Sequence, residues 1–421
     1  MSPNTAKTVT NRRVFYIPGY DPIHPRRYRE LYRKEGRAQS EISGYDLALS
    51  PGQGGARYGW HVDGHIDGTD VTADFEVLVW SDIVRDSMEQ GIFATYVQLI
   101  RTAWTYIASG ALFRLMRLRK GPVIAALYPV GFLLVQLLLA IVLSVLVYWG
   151  LAWLYDFVFH KPEQWFAPWF PYYLYALMPF GALAGYALLR WFKAKDNKLF
   201  AYYLMHDYAY SAASKGANSP ELEARMAEFT DEIAHALTQS SDEVLVVGHS
   251  SGAHLGVSIL ADLIRQGRVP DNGPVLSFLT LGQVVPMVSF LRHADRLRGD
   301  LHYLSQRGEL SWIDVTAPGD GCAFALCDPV AVSGVAPTGK RWPLVMSAAF
   351  TQTLSPARWK ALRWRFFRLH FQYLCAFDQP GDYDYFQITA GPITLGDRYA
   401  KRPPSPSRIE TPVNKFTRMR T

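Results

Sequence analysis

The sequence predicts an α/β fold: a doubly wound, mostly parallel sheet interrupted by a two-helix transmembrane hairpin. Two patterns predict the sheet. Short β-branched apolar runs end in glycine or proline, and amphipathic stretches of helical period lie between them. A third predicts the interruption, because VGFLLVQLLLAIVLSVLVYWGLAWLY (130–155) carries no charged side chain. Bulk composition hides this segregation, since 19% charged and 49% hydrophobic residues suit a soluble enzyme equally well.

MSPNTAKTVTNRR opens the chain without an apolar core, so no signal peptide is expected and the chain is expected to start in the cytosol. Val14 to Ile17 read as a buried strand, with Pro18-Gly19-Tyr20 as the loop at its end. An N–H of Gly19 or Tyr20 there is suited to bind an oxyanion, although an ordinary proline-glycine turn has the same sequence. WHVDGHID places His61 and His65 four apart around Asp63. Its alternation, followed by Asp67-Gly68-Thr69, predicts a β-hairpin rather than a zinc-binding helix. DFEVLVWSD (74–82) is a further buried strand.

Residues 92–120 mix an apolar face with Gln98, Arg101 and a basic end, the pattern of a helix lying among lipid headgroups. A third, poorer span is the alternative. About 20 apolar residues cross a hydrocarbon core, and 130–155 exceeds that length. Residues 171–189 are uncharged but shorter and interrupted by Pro179, which spanning helices tolerate. Arg114, Arg117, Arg119 and Lys120 precede the first run, and Arg190, Lys193, Lys195 and Lys198 follow the second. The positive-inside rule then makes both outer ends cytoplasmic. The expectation is a two-span protein, in a bacterial inner membrane, with a cytoplasmic catalytic domain.

SPELEARMAEFTDEIAHALTQ (219–239) is an amphipathic helix with a Ser-Pro start and glutamates in its first turn. EVLVVGHSSGAHLG (243–256) follows, a buried strand running through Gly248-His249-Ser250-Ser251-Gly252 into a helix. A sharp turn there lifts the Ser250 hydroxyl clear of the sheet, beside the free N–H groups of a helix start. PVLSFLTLGQVVP (274–286) supplies the next strand, and Leu310 to Val315 the one after.

A nucleophilic serine needs a base, an orienting acid and oxyanion donors. Four histidines follow Ser250. His254 lies on the elbow helix, His293 and His302 flank a charged surface stretch, and His370 lies late in RWRFFRLHFQYLCAF. Chain order and elimination favour His370, although its aromatic surroundings equally suit a packed core histidine. For the acid, Asp320 in Pro318-Gly319-Asp320-Gly321 stands just past a strand end, where open parallel sheets place their catalytic groups. Asp314, still within the strand, is the competitor; Asp328 and Asp378 rank below.

The strand-PGY loop, the GHSSG elbow, the TLGQ strand, the loop acid and the late histidine together resemble the α/β-hydrolases, nearest the lipase and esterase branch. The resemblance covers residues 12–86 and 200–395, and the elbow is its most specific part. It implies Ser250 as nucleophile, His370 as general base and acid, Asp320 as orienting carboxylate, and Tyr20 (or Gly19) and Ser251 as oxyanion donors. It also implies that the hairpin emerges at the carboxyl edge of the sheet and turns the catalytic mouth towards the bilayer.

The expected organisation is 1–86 and 200–395 as two parts of one hydrolase domain, 87–120 as the interfacial segment, 121–199 as the hairpin and 396–421 as a disordered basic tail. Cys322, Cys327 and Cys375 offer neither a disulfide framework nor metal-ligand spacing, so no metal or other cofactor is expected. The net charge of +6 lies largely in the membrane flanks and the tail, without the aromatic platform of a nucleic-acid binder. A lipid-like acyl ester or thioester and the membrane are the expected partners; oligomeric state is not legible. An acyltransferase would use the same residues. A non-catalytic scaffold retaining the fold, and a transporter, are the readings from other classes; two spans without internal charge argue against transport.

Overall fold

The computed structural model describes residues 8–20, 24–52, 57–80, 82–83, 91–159, 172–196 and 201–420. The chain divides into two compact units. One comprises 1–87, 104–125 and 210–421; the other comprises 88–103 and 126–209.

The first unit is an eight-stranded sheet in the order β2-β3-β4-β1-β5-β6-β7-β8. Its strands are β1 (Asn11–Ile17), β2 (Asp46–Pro51), β3 (Gly59–Ile66), β4 (Thr69–Val77), β5 (Glu243–His249), β6 (Val275–Leu281), β7 (Leu310–Thr316) and β8 (Leu344–Ser347). From β4 across to β8 every pairing is parallel; β2–β3 and β3–β4 are antiparallel. The β3–β4 turn is Asp67-Gly68, with φ of 53° and 72°. Those left-handed values define the tight hairpin that Asp-Gly favours. His61 and His65 there bond across the hairpin to Asp74 and Asp70, each at 2.7 Å, as side chains of one sheet face.

Every residue of β5 is buried, because the strand is central and covered on both faces. On one face Tyr28 and Tyr32 of α1 (Arg26–Ser43) pack with Tyr16, Leu245 and Phe386. On the other, Gly256 lies so close to the Phe278 ring that an added Cβ would fall 2.7 Å from it. The chain leaves β1 towards β4 and leaves β5 towards β6. The crevice between those two departures lies beyond the carboxyl ends of β1 and β5, where such sheets bind ligands.

The structure refines one sequence reading and corrects another. Residues 92–120 form two helices, Ile92–Ala108 and Ala111–Leu118, separated at Gly110 with φ of 69°. Part of the basic end expected to face lipid is used within the protein. Arg119 Nε donates to Ala325 O at 2.7 Å, and Leu115 and Leu118 are buried. The tail, expected to be disordered, is instead bonded to the sheet unit. Buried Arg298 donates to the carbonyls of Arg418, Ser289, Leu291 and Arg292 and to Asp295, and Asn414 donates to Ser289 O. Low apolar content removes the tail's ability to build a core of its own. It does not stop a buried guanidinium from binding one of its carbonyls, that of Arg418.

The second unit is helical. Lys120–Phe159 is one continuous helix of 40 residues, and Tyr172–Ala194 is another. They approach closely at two glycines: a Cβ on Gly181 would lie 2.6 Å from Ser144 O, and one on Gly185 2.7 Å from Ala140 O. Small residues four apart permit such backbone contact. The expectation of two spans is overturned. Among the described residues only Lys120–Phe159 is long and apolar enough to cross a membrane. The tyrosines, glycines and Pro179 of the second helix dilute its apolarity, and Arg190 and Lys193 sit in its last turns. The topology that placed both basic flanks on one side falls with it. The loop expected between the runs, at 160–171, lies outside the described residues.

Candidate active site

Ser250 follows β5 directly and has φ of 56°, a left-handed value that a residue with a side chain adopts only under constraint. The constraints are close backbone approaches on both sides. A Cβ on Gly248 would lie 2.8 Å from Ala253 Cα, and one on Gly252 would overlap Ile17 O and lie 2.7 Å from Pro18 O. Ser250 N–H donates to Leu281 O at 2.9 Å, tying the turn to the end of β6. Ser250 is only partly buried, and Ser251 begins the helix Gly252–Arg265 as its cap.

Gly19, in the loop after β1, faces the serine. A Cβ built there would lie 3.0 Å from Ser250 Cβ and 3.4 Å from Oγ. Any side chain at 19 would therefore press on the hydroxyl. Tyr20 beside it is buried against Trp80, its ring edge-on at 5.8 Å. The structure thus brings Gly19, Tyr20 and Ser251 to one end of the sheet, at the crossing of the loop after β1 and the turn after β5.

His370 ends a short helix, Phe366–His370, and its ring is buried. Its Nδ1 is 2.7 Å from Asp320 Oδ2. Asp320, in the loop after β7, also accepts from Cys322 N–H at 2.8 Å and from the Tyr373 hydroxyl at 3.0 Å. Burial by itself would raise the Asp320 carboxyl, but His370 beside it and these hydrogen bonds hold it below the ordinary value. Gly282, at the end of β6, floors the imidazole: a Cβ there would lie 3.0 Å from His370 Cε1. The His370 ring lies 4.9 Å from that of His249, the residue before the serine, and His249 Nε2 contacts His370 O at 3.1 Å. Among the described residues no hydrogen bond joins Ser250 Oγ to His370. Such contacts often tighten only in a substrate complex.

Asp314 is placed elsewhere. It is fully buried within β7, accepts from Thr280 Oγ1 at 2.6 Å, and has no partner for Oδ2. Burial pushes its carboxyl up to about 8, so at neutral pH it is largely a neutral acid unsuited to stabilising an imidazolium. A test follows from linkage. A carboxyl raised in the folded state stabilises the fold fully below its unfolded value, near 3.9, and loses that contribution as pH rises towards 8. Asp314→Asn, which mimics the neutral acid, is expected to match wild type near pH 3.5, to exceed it by about 1.5 kcal/mol at pH 5 and by several kcal/mol at pH 8. Parallel pH–stability curves for the two proteins would show that Asp314 ionises normally.

His254 is buried with its Nδ1 unpartnered, and burial lowers it to about 4. His293 and His302 belong to the region of the helix Asp295–Leu304, and His302 Nδ1 bonds Val335 O at 2.8 Å. Asp328 caps a short helix and pairs with Lys340, and Asp378 accepts from Ser355 N–H at 2.9 Å. None of these joins the His370 cluster.

Sequence reading missed Tyr373, His249 and Gly282. Tyr373 was accessible in principle, three residues after His370. Its hydroxyl bridges Ala317 N–H and Asp320, locking the acid loop to the end of β7. His249 is driven down to about 3 by burial, then by His370, and acts as a neutral packing surface. Asp320, Cys322 and His370 hold ligand atoms within 4.8 Å of one another. The carboxylate there already accepts three protein hydrogen bonds, and burial keeps the Cys322 thiol protonated. That donor set suits a proton-bonded pair better than a metal ion. A separate groove of about 880 Å³, with Trp104, Lys215, Arg292, His293, Lys415 and Arg418 among its lining residues, contains none of the residues of this cluster.

Fold and site define a mixed α/β protein with a strained serine and a buried His–Asp pair at the carboxyl edge of a mostly parallel sheet. Comparisons with protein-family models, curated proteins and solved structures return no match.

Proposed function

We propose that the protein is a serine hydrolase of the α/β-hydrolase type, cleaving an ester or thioester of a lipid-like acyl substrate. The observation that carries the reading is the left-handed Ser250 at the end of β5, faced by Gly19, on the same sheet edge as a His370–Asp320 pair. Ser250 Oγ attacks the acyl carbonyl while His370 Nε2 takes its proton. Asp320 holds Nδ1–H and stabilises the imidazolium. The N–H groups of Ser251 and of Gly19 or Tyr20 receive the oxyanion. Collapse expels the alcohol or thiol, protonated by His370, and water then releases the acid from the acyl-enzyme. An alcohol in place of water makes the same site an acyltransferase. The exposed apolar surface of Lys120–Phe159, including Leu138, Leu146 and Trp153, supports a membrane partner and a lipid-like substrate.

A second reading, a scaffold retaining the fold, draws on the missing Ser250–His370 hydrogen bond. Labelling of the detergent-solubilised protein with a fluorophosphonate separates the two. Strong labelling of wild type, lost in Ser250→Ala and cut at least about a thousandfold in His370→Ala, is the expected result. A folded wild type that takes no label would favour the scaffold.

A further inference from the structure

We propose that residues 356–371 form a docking surface for an anionic lipid bilayer, built directly onto the Asp320–His370 pair. Between Pro356 and Phe377 the chain contains no acidic residue. Lys360, Arg363, Arg365 and Arg368 are all exposed, and among the described residues none of the four makes an ion pair. The large apolar side chains between them are exposed too: Trp364 at 72%, Phe366 at 45% and Phe367 at 41%. The preceding helix, Pro356–Leu362, has no buried residue at all. Arg-Trp-Arg-Phe-Phe-Arg is thus a contiguous cationic and aromatic ridge. A ridge of that kind marks an interaction surface rather than ordinary scatter.

The ridge is anchored at the site. Trp359 lies over Gly319, where an added Cβ would fall 2.6 Å from its ring, and Phe366 lies over Gly321, at 3.0 Å by the same measure. Those two glycines flank Asp320. At the other end the ridge runs straight into buried Leu369 and His370. Arg358 fixes the base of the segment to Glu35 at 3.6 Å. A surface that engages Trp364, Phe366 and the arginines therefore sits against the loop and helix that hold the acid and the base.

Charge selects the occupant. Four cations without ion-pair partners, Arg363 among them stacked on Trp364, repel basic partners and favour anionic ones. Interleaved Trp and Phe suit the headgroup layer, where rings enter the acyl boundary and guanidinium groups meet phosphates. The same chain carries the long apolar helix Lys120–Phe159, which favours a bilayer over a soluble polyanion. The proposal does not depend on Ser250 chemistry, so its failure would leave the hydrolase reading standing.

The test is amide hydrogen exchange of the full chain in nanodiscs of phosphatidylcholine alone and of phosphatidylcholine with phosphatidylglycerol. Each cation near an anionic surface contributes a factor of roughly five in partitioning, so exchange over 356–371 is expected to slow about tenfold or more in the anionic discs. The helix 220–236 should be unchanged. Arg363→Glu, Arg365→Glu and Arg368→Glu together should abolish the difference; if that variant misfolds, the wild-type comparison between the two lipids decides alone. Equal exchange in both discs overturns the proposal. So does protection already present in detergent, which would indicate cover by protein, or protection conferred in detergent by a single-stranded oligonucleotide.

Discussion

Asp320→Asn is expected to slow fluorophosphonate acylation of Ser250 by about 10⁴ while leaving the elbow folded. The carboxylate accepts from His370 Nδ1 at 2.7 Å, and Cys322 N–H and the Tyr373 hydroxyl also donate to it. An amide there offers an NH₂ towards Nδ1. That favours the imidazole tautomer with its proton on Nε2, the atom that must accept the serine proton. The amide also removes the charge that stabilises the imidazolium. The measurement is the second-order labelling rate, with near-UV circular dichroism as the check on folding. A loss smaller than tenfold would mean that Asp320 does not orient the base. Asp314→Asn serves as the contrast, because its side chain is spent on Thr280 inside β7 and its labelling rate should stay near wild type.

The second large effect concerns stability. Arg12→Met is expected to destabilise the sheet unit by about 3–5 kcal/mol, because it strands a buried carboxylate. Arg12 on β1 and Glu243 on β5 are both fully buried, 2.6 Å apart. Arg12 also donates to Gly391 O and Ile393 O, and Glu243 accepts from Ser277 Oγ and Leu395 N–H. The pair thereby joins the two central strands to the turn near residue 392. Adding Glu243→Gln should recover part of the loss, since the orphaned charge is then gone. Urea unfolding of both variants is the readout; a cost below about 1 kcal/mol would mean that the pair is solvated.

The sheet was legible because buried parallel strands are short, β-branched and punctuated, and β1, β5, β6 and β7 obey that rule; β4 (Thr69–Val77) starts before the run read as a strand at 74–82 and alternates in burial over its first half. Helix Pro220–Ala236 was legible for a similar reason: Ser219 caps it, accepting from Leu222 N–H at 3.2 Å. The elbow was legible because Gly248 and Gly252 leave room that no other residue would. What failed were inferences from composition alone. The Pro-rich basic tail reads as solvated chain, yet its backbone is bonded by Arg298 and its end lies against Gly299. The apolar run at 171–189 reads as a span, yet among the described residues only Lys120–Phe159 is long and apolar enough to cross a membrane.

By itself, the sequence determined the α/β class and the tight, glycine-flanked turn at Ser250. These are local properties, set by residue types within a few positions of one another. Only the tertiary structure decided that Asp320, and not Asp314, meets the His370 ring. That choice depends on which side chain reaches an imidazole fifty positions away, on Tyr373 clamping the acid loop, and on Thr280 taking the other carboxyl. The structure alone also showed what lies around the pair: Gly282 beneath the ring, His249 beside it, and an arginine-aromatic ridge leading into it. Contacts between residues distant in sequence arise from packing, and packing leaves no periodicity along the chain to be read.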